Sequence, residues 1–304
     1  MDDPVIAPRP ILRFAQDDLP SMTPYFKVSG SGNDFLALAE PPAEPSAGEI
    51  RAWCRRGVSL GADGLFVLRR RGAAAVAMDY FNADGLPADL CLNGTRCAVR
   101  LALHLGWGAD RVTIETPAGA FAGRAAGEER IAVELPGPPA APRELEVEAA
   151  GGRRHGWAVR VGVPHFVLVL PDGLADAPVA TLGPALRHHP AFAPAGTNVN
   201  FVHFPAAGGR RRMEIRTYER GVEAETLSCG TGVLAGAAAG LALGAVELPL
   251  TVLTAGGFPL EVDARDGRWT LTGDARLLAR GELLPEAGRV PPPPAWAGGP
   301  AAFG

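Results

Sequence analysis

Lysine is almost missing from this chain. Lys27 is the only one in 304 residues, and it lies in the strand-like run Phe26-Lys27-Val28. A single amine inside a strand is a poor basis for Schiff-base chemistry, so no dependence on pyridoxal phosphate is expected. Cysteine is scarce as well. Cys54, Cys91, Cys97 and Cys229 contain no CxxC pair and do not form a disulfide framework, which argues against structural zinc and for a reducing, cytoplasmic setting. Basic patches are absent. The formal net charge is −4, and Arg69-Arg70-Arg71 and Arg210-Arg211-Arg212 are short runs between apolar segments that read as solvated turns. Neither nucleic acid nor a membrane surface is therefore an expected partner. The N-terminus shows no basic region followed by an apolar core and a cleavage site, so no secretory signal is read. One uncharged stretch, Thr226 to Val246, mimics a membrane span in length but is mostly Ala and Gly. It lacks the Leu, Ile and Phe density that drives insertion, and is expected as a helix apolar all round and buried in a core.

The length favours two domains. Residues 1–21 are polar and punctuated by proline and are expected as a disordered extension, with Met22 a candidate start. From Pro285 to residue 304 the chain reads as a tail rich in Pro, Gly and Ala. Between the tails, strands are expected at Phe35–Leu38, Leu65–Leu68, Ala75–Phe81, Val112–Ile114, Ile131–Val133, Ala158–Val161, Phe166–Val169, Met213–Tyr218 and Leu250–Leu253. Apolar helices are expected at Asn93–Leu105 and Thr231–Leu243, and Pro136–Pro142 is the natural linker. The fold class is α+β: two pseudo-symmetric halves, 22–136 with a return segment at about 273–284, and 137–272. Each half is a mainly antiparallel sheet wrapped around one central helix.

What is present is a pair. Tyr80-Phe81-Asn82-Ala83-Asp84-Gly85 precedes Cys91-Leu92-Asn93-Gly94, and Tyr218-Glu219-Arg220-Gly221 precedes Cys229-Gly230-Thr231-Gly232. Gly119 and Gly257 each follow their cysteine by 28 positions. Both contexts read as strand, polar turn, cysteine, helix. A thiol at a helix start meets unpaired backbone N–H groups and the positive end of the dipole, which lower its pKa from about 8.5 towards neutrality. The same amides can hold a carboxylate. A lone cysteine is more often a small buried hydrophobe, but two in matched contexts suggest thiols facing one another across a pseudo-twofold axis. Cys97 lies about 240° round the helix from Cys91 and reads as core, as does Cys54. His188 and His189 read as ordinary loop residues.

Eight strings, in order, resemble the diaminopimelate epimerase family: Gly30-Ser31-Gly32-Asn33-Asp34-Phe35, Gly61-Ala62-Asp63-Gly64, Phe81 to Gly85, Cys91 to Cys97, Gly162-Val163-Pro164-His165, Gly196-Thr197-Asn198-Val199-Asn200-Phe201, Tyr218 to Gly221 and Cys229 to Gly232. The resemblance covers about residues 22 to 284. It implies a cofactor-independent epimerase, usually a homodimer, acting on a small-molecule amino acid in a cleft between two similar halves. On this reading Cys91 and Cys229 are the acid/base pair, with His165 and Glu219 tuning the thiols. Substrate would be contacted by Asn33, Asn82, Asn93, Asn198, Glu219 and Arg220, and by the backbone near Leu92, Gly94, Gly230 and Thr231.

Three positions depart from the family pattern. Leu92 replaces a glycine and adds bulk beside the amides expected to hold the α-carboxylate. Val163 replaces an asparagine that helps hold the far end of diaminopimelate. Gly64 stands where many members carry glutamine. The readings left open are a diaminopimelate epimerase, a racemase of another amino acid on the same fold, and a non-catalytic amino-acid-binding descendant in which Leu92 crowds the site.

Overall fold

The computed structural model describes residues 22–290 apart from positions 89 and 208. The expected extension at 1–21 and the proline-rich stretch from 291 lie outside the described residues. The chain opens with β1 (Thr23–Gly30), β2 (Asn33–Ala39), α1 (Ala47–Cys54), β3 (Gly64–Arg70), β4 (Ala75–Asn82), α2 (Leu92–His104), β5 (Arg111–Thr116), β6 (Gly119–Ala125) and β7 (Arg130–Glu134). It continues with β8 (Arg143–Ala149), β9 (Gly152–Val161), β10 (Val163–Val169), α3 (Val179–Arg187), β11 (Asn198–His203), β12 (Arg212–Glu219), β13 (Ala224–Thr226), α4 (Gly230–Ala242), β14 (Leu250–Thr254), β15 (Pro259–Arg265), β16 (Arg268–Asp274) and β17 (Arg276–Leu283).

The strand pairing runs through the same pattern twice. β1–β2 is antiparallel, β2–β3 parallel, β3–β4 antiparallel, β4–β5 parallel, and β5–β6 and β6–β7 antiparallel. The series recurs as β9–β10, β10–β11, β11–β12, β12–β14, β14–β15 and β15–β16. β17 returns to pair with β1, and β8 holds the same outer place beside β9. The two series join where β7 meets β16 antiparallel, with Val133 opposite Leu271. Equivalent strands meeting antiparallel is what a twofold relation requires. The result is an α+β fold with one mixed sheet bent around two helices.

Register aligns the two series residue by residue. Phe35 faces Gly64 as His165 faces Asn198, and Phe66 faces Tyr80 as Asn200 faces Thr217. Tyr218 therefore corresponds to Phe81, one position away from the match its neighbour Tyr80 suggests, because the segment leading to Cys229 is longer by one residue.

The helices sit inside these sheets. α2 packs on β1, β5, β7 and β17, and α4 on β9, β10, β11 and β12. One apolar cluster includes Val99, Leu101, Val233, Leu234, Val252 and Leu271 and so runs through both. The uncharged run of the sequence is explained here. Within α4, residues Gly230 to Gly240 of this run are all buried, because sheet surrounds the helix. The expected helix at Thr231–Leu243 forms one residue earlier at each end, and at the start of the uncharged run Thr226 ends β13. Among the described residues no helix is long and apolar enough to cross a membrane. Cys97 and Cys54 are buried core residues, as expected. Of the expected tail, Pro285–Gly288 forms a 3-10 turn, with Ala287 packed on the cluster around Ile50 and Trp53.

Candidate active site

Both cysteines are helix N-caps. Cys91 has extended backbone (φ −139°, ψ 101°) and its Sγ accepts from the Gly94 N–H at 3.4 Å. Cys229 is held in nearly the same conformation (φ −119°, ψ 105°), with its Sγ 3.4 Å from Thr231 Oγ1 and no side-chain cap bond to the helix. The first intrahelical bonds come from Thr95 N–H to Cys91 O and from Val233 N–H to Cys229 O. The N–H groups of each first turn have no partner within their helix and so can receive an anion.

The two helix starts abut. A Cβ on Gly230 would lie 3.0 Å from Leu92 Cβ and 3.5 Å from Asn93 Oδ1. Leu92 is 3% exposed and belongs to the shared core with Leu271. Its bulk is accommodated by the missing side chain of Gly230, its own counterpart in the second series, so the expected crowding of the carboxylate amides is corrected. Asn93 ties the junction. Its Nδ2 donates to Ser228 O (3.1 Å) and to Asn33 Oδ1 (2.6 Å), and its Oδ1 accepts from Arg96 Nη2 (2.9 Å). Both amide hydrogens are thus used within the protein, leaving Asn93 its backbone for a ligand.

Arg96 was not singled out in the sequence. It is fully buried, and Nη2 also donates to Ser31 Oγ (2.7 Å), which in turn donates to Asp274 Oδ1 (2.8 Å). Burial of a guanidinium is costly unless it is bonded, and this network supplies acceptors. Asn33 hands the chain on from Asn93 to Asp63 Oδ2 (3.1 Å), and Asp63 is ion-paired to Arg56 at 2.7 Å.

His165 lies in β10 and is 1% exposed. Thr217 Oγ1 donates to Asn200 Oδ1 (3.1 Å), which orients the amide so that Asn200 Nδ2 faces His165 Nδ1 (3.1 Å). Nδ1 accepts, so the proton sits on Nε2, a buried donor with no acceptor among the described residues. Burial, with the Arg220 charge adding, pushes this imidazole down to about 3 and keeps it neutral. A ring of Asn200 and Thr217 under α4 explains Gly232, where a side chain would strike Asn200 Oδ1. Asn198 bridges Pro164 O (3.2 Å, from Nδ2) and the Arg220 N–H (2.8 Å, to Oδ1), linking β10 to the turn that carries Glu219 and Arg220. Glu219 accepts from Thr226 Oγ1 at 2.9 Å, and its carboxylate opposes ionisation of both thiols. Burial pushes Glu219 up to about 6. Asn82 ends β4 opposite Gly64 and is exposed, with its backbone engaged in the turn to Leu86.

The thiols correct one expectation. Helix-terminal N–H groups do lower them, but burial outweighs those groups and pushes Cys91 up to about 11 and Cys229 higher still. Cys91 also raises Cys229, so each sulfur is within reach of the other's charge. The structure joins Cys91, Cys229, Leu92, Asn93, Gly94, Gly230, Thr231, Asn33 and Glu219 at one junction of helix starts, with His165, Asn198 and Arg220 in a connected network beside it.

Among solved structures, the fold is similar to a probable proline racemase from Agrobacterium radiobacter K84 (TM-score 0.68, 17% identity, 88% of this chain and 96% of that one). It is also similar to a phenazine biosynthesis protein of the PhzF family from Enterococcus faecalis (TM-score 0.65, 18% identity, 86% and 99%). These likenesses define the fold class. The family model for diaminopimelate epimerase matches residues 25–138 and 157–278. Curated diaminopimelate epimerases from Gemmatimonas aurantiaca (41% identity, 85% of this chain and 98% of that protein) and Aquifex aeolicus (36%, 86% and 98%) are similar over nearly their full lengths. This chain belongs to the diaminopimelate epimerase family and is an isomerase.

Proposed function

We propose that the chain interconverts LL- and meso-diaminopimelate by two-thiol proton transfer without a cofactor, supplying lysine and peptidoglycan precursors. The observation that carries this reading is the junction of α2 and α4, where two pseudo-equivalent capping cysteines lie within electrostatic reach. One sulfur, as thiolate, takes the α-proton: an S–H bond forms, the C–H bond breaks, and its electron pair passes to the α-carbon and carboxylate. The other thiol delivers its proton to the opposite face, becoming the thiolate, and the pair reverses for the reverse reaction. Helix-start amides from both series stabilise the carboxylate as negative charge grows. The substrate ammonium offsets the burial that holds the thiols up, so thiolate and substrate enter together. His165 Nε2–H adds a neutral donor and Glu219 an acceptor for the ammonium.

The halves at 22–136 with 273–284, and at 137–272, close over this site, and the working form is a cytoplasmic homodimer. Val163, partly buried at the start of β10, favours the second reading, a racemase of another amino acid, because it cannot donate to a distal carboxylate. Leu92, turned to Gly230, removes the reason for a non-catalytic reading. The test is α-proton exchange of LL-diaminopimelate in deuterated water with purified protein and no added cofactor. Exchange with formation of the meso isomer is expected. A monocarboxylic amino acid turning over with higher kcat/KM would transfer the assignment to the racemase.

A further inference from the structure

Glu219 and Arg220 sit at a turn that is closed by a residue with no place in the site so far. Residues 220–223 join β12 to β13, and Glu223 takes left-handed backbone there (φ +58°), a conformation that glycine adopts at lower cost. Strain of this kind persists where the surroundings hold the residue, and Glu223 is held through both its backbone and its carboxylate. Its N–H donates to Glu219 O (2.9 Å), and its carbonyl accepts from Tyr218 Oη (2.6 Å). Oε1 accepts from the Gly221 N–H (3.1 Å) and from Arg187 Nε (2.9 Å), and Oε2 lies 3.2 Å from His188 Nε2. Arg187 ends α3, and His188, an ordinary loop residue by sequence, is that helix's C-cap. The helix can come this close because Gly183 has no side chain; a Cβ there would lie 2.7 Å from Tyr218 Cβ.

The bonds form a closed circuit. Arg187 Nη1 donates to Ala195 O (3.4 Å), and the Arg187 carbonyl accepts from the Thr197 N–H (3.2 Å), next to Asn198. Asn198 Oδ1 accepts from the Arg220 N–H (2.8 Å), which returns the circuit to the turn. The turn after β4 in the first series is built otherwise. Left-handed backbone falls there on Gly85 (φ +82°), packed against Ala47 of α1, and Arg51 Nε donates to the Asp84 carbonyl (3.2 Å). Glycine serves where backbone contacts suffice, whereas a carboxylate at the strained position fastens the second turn to a helix.

We propose that Glu223 is a positioning residue of the active site: fastened to Arg187, it fixes the turn so that Glu219 and Arg220 are set for the substrate before it binds. The inference rests on the proposed function, in which Glu219 and Arg220 contact diaminopimelate. Burial alone would raise the Glu223 carboxyl, but the Gly221 N–H, Arg187 and His188 hold it below the ordinary carboxylate range, so the ion pair persists at neutral pH. A turn fixed in advance spares the substrate the cost of ordering it. That saving appears in binding and hardly in proton transfer between thiols that lie on other segments.

The test is Glu223→Gly in the full chain. Glycine keeps the backbone bonds of the turn and relieves its left-handed strain, which roughly offsets the loss of a partly exposed ion pair, so the urea midpoint should stay near the parent's. KM for LL-diaminopimelate should nonetheless rise about ten-fold, the scale of one lost bond to a charged group, with kcat changed less than about three-fold. Arg187→Met should raise KM alike, and the double variant should add nothing further. Backbone hydrogen exchange over residues 219–223, followed without substrate, should quicken about ten-fold in each variant. A folded Glu223→Gly protein with the parent's KM overturns the proposal whatever its exchange, and so does a KM that rises only in step with a fallen urea midpoint. Quickened exchange in a chain whose parent does not turn over diaminopimelate would sink the proposed function and leave the fastening of the turn standing; an active parent with an unmoved KM in Glu223→Gly would sink Glu223 alone.

Discussion

On β2, β3 and β4 the chain places Phe35, Phe66 and Tyr80; at the register-equivalent positions of the second series it places His165, Asn200 and Thr217. The first trio packs ring against ring, with Phe35 6.0 Å from both partners. The second is a hydrogen-bonded chain from hydroxyl to amide to imidazole. The same strand pairings, the same cysteine cap and helices of the same length carry opposite chemistry. The helices diverge likewise: α2 buries Arg96 in a polar network, whereas α4 is mostly Ala and Gly. A duplicated backbone thus places two cysteines alike at helix starts, while the residues packed in each series differ in what they can offer a ligand.

The largest test of this comparison removes either sulfur. Cys91→Ala and Cys229→Ala are each expected to lower epimerisation by about 10²- to 10⁴-fold, roughly 3 to 5 kcal/mol of barrier, with circular dichroism unchanged. A single variant with near-parental activity would break the two-thiol reading. Next in size is the seam between the halves. Leu92→Gly should lower stability by about 3 to 5 kcal/mol in urea unfolding, because it empties a filled contact at Gly230 and puts glycine in a first helical turn. It should not lower KM; a better KM would restore the idea that Leu92 crowds the ligand.

Glu219 sharpens the contrast through pH. Its folded pKa is raised from 4.5 to about 6, so the stability it contributes is fully present below about pH 4.5 and lost as pH rises through about 6. Glu219→Gln should therefore stabilise the protein at pH 7 by about 2 kcal/mol, with the gain vanishing near pH 4, while kcat falls. His165 runs the other way. Its pKa is lowered from 6.5 to about 3, so its contribution is present above about pH 6.5 and lost as pH falls towards 3. Melting curves of Glu219→Gln that parallel the parent's at every pH would contradict the burial of that carboxylate. The smallest effect is at Val163. Val163→Asn should lower KM for diaminopimelate about ten-fold, the value of one regained hydrogen bond to a charged group, in steady-state kinetics.

Much of this protein was legible from pattern alone. The nine strands expected from apolar runs all form, and both central helices begin within two residues of where they were read, since apolar periodicity and a cysteine before glycine-rich turns are local signals. α1 and α3 were not read. α1 is short and follows a proline-rich loop, and α3 carries Pro184 and Gly183 inside it, so neither shows a helical stripe. β6, β8, β11 and β13, and β15 to β17, were missed because short strands with polar faces leave little signal until they pair.

The site divides the same way. The two thiols, their helix starts, the duplication and the family strings are written in residue order, because capping and turns act over a few neighbours. Whether a thiol there is acidic was decided only by tertiary structure: burial is a sum over distant segments, and it reversed the local expectation at Cys91 and Cys229. The same holds for Leu92, harmless only because Gly230 faces it, and for Asn93, engaged by Arg96, Asn33 and Ser228. Tyr80 finds room for its ring only because Gly64, sixteen positions earlier, is brought beside it by the β3–β4 register, a long-range pairing that no local window contains.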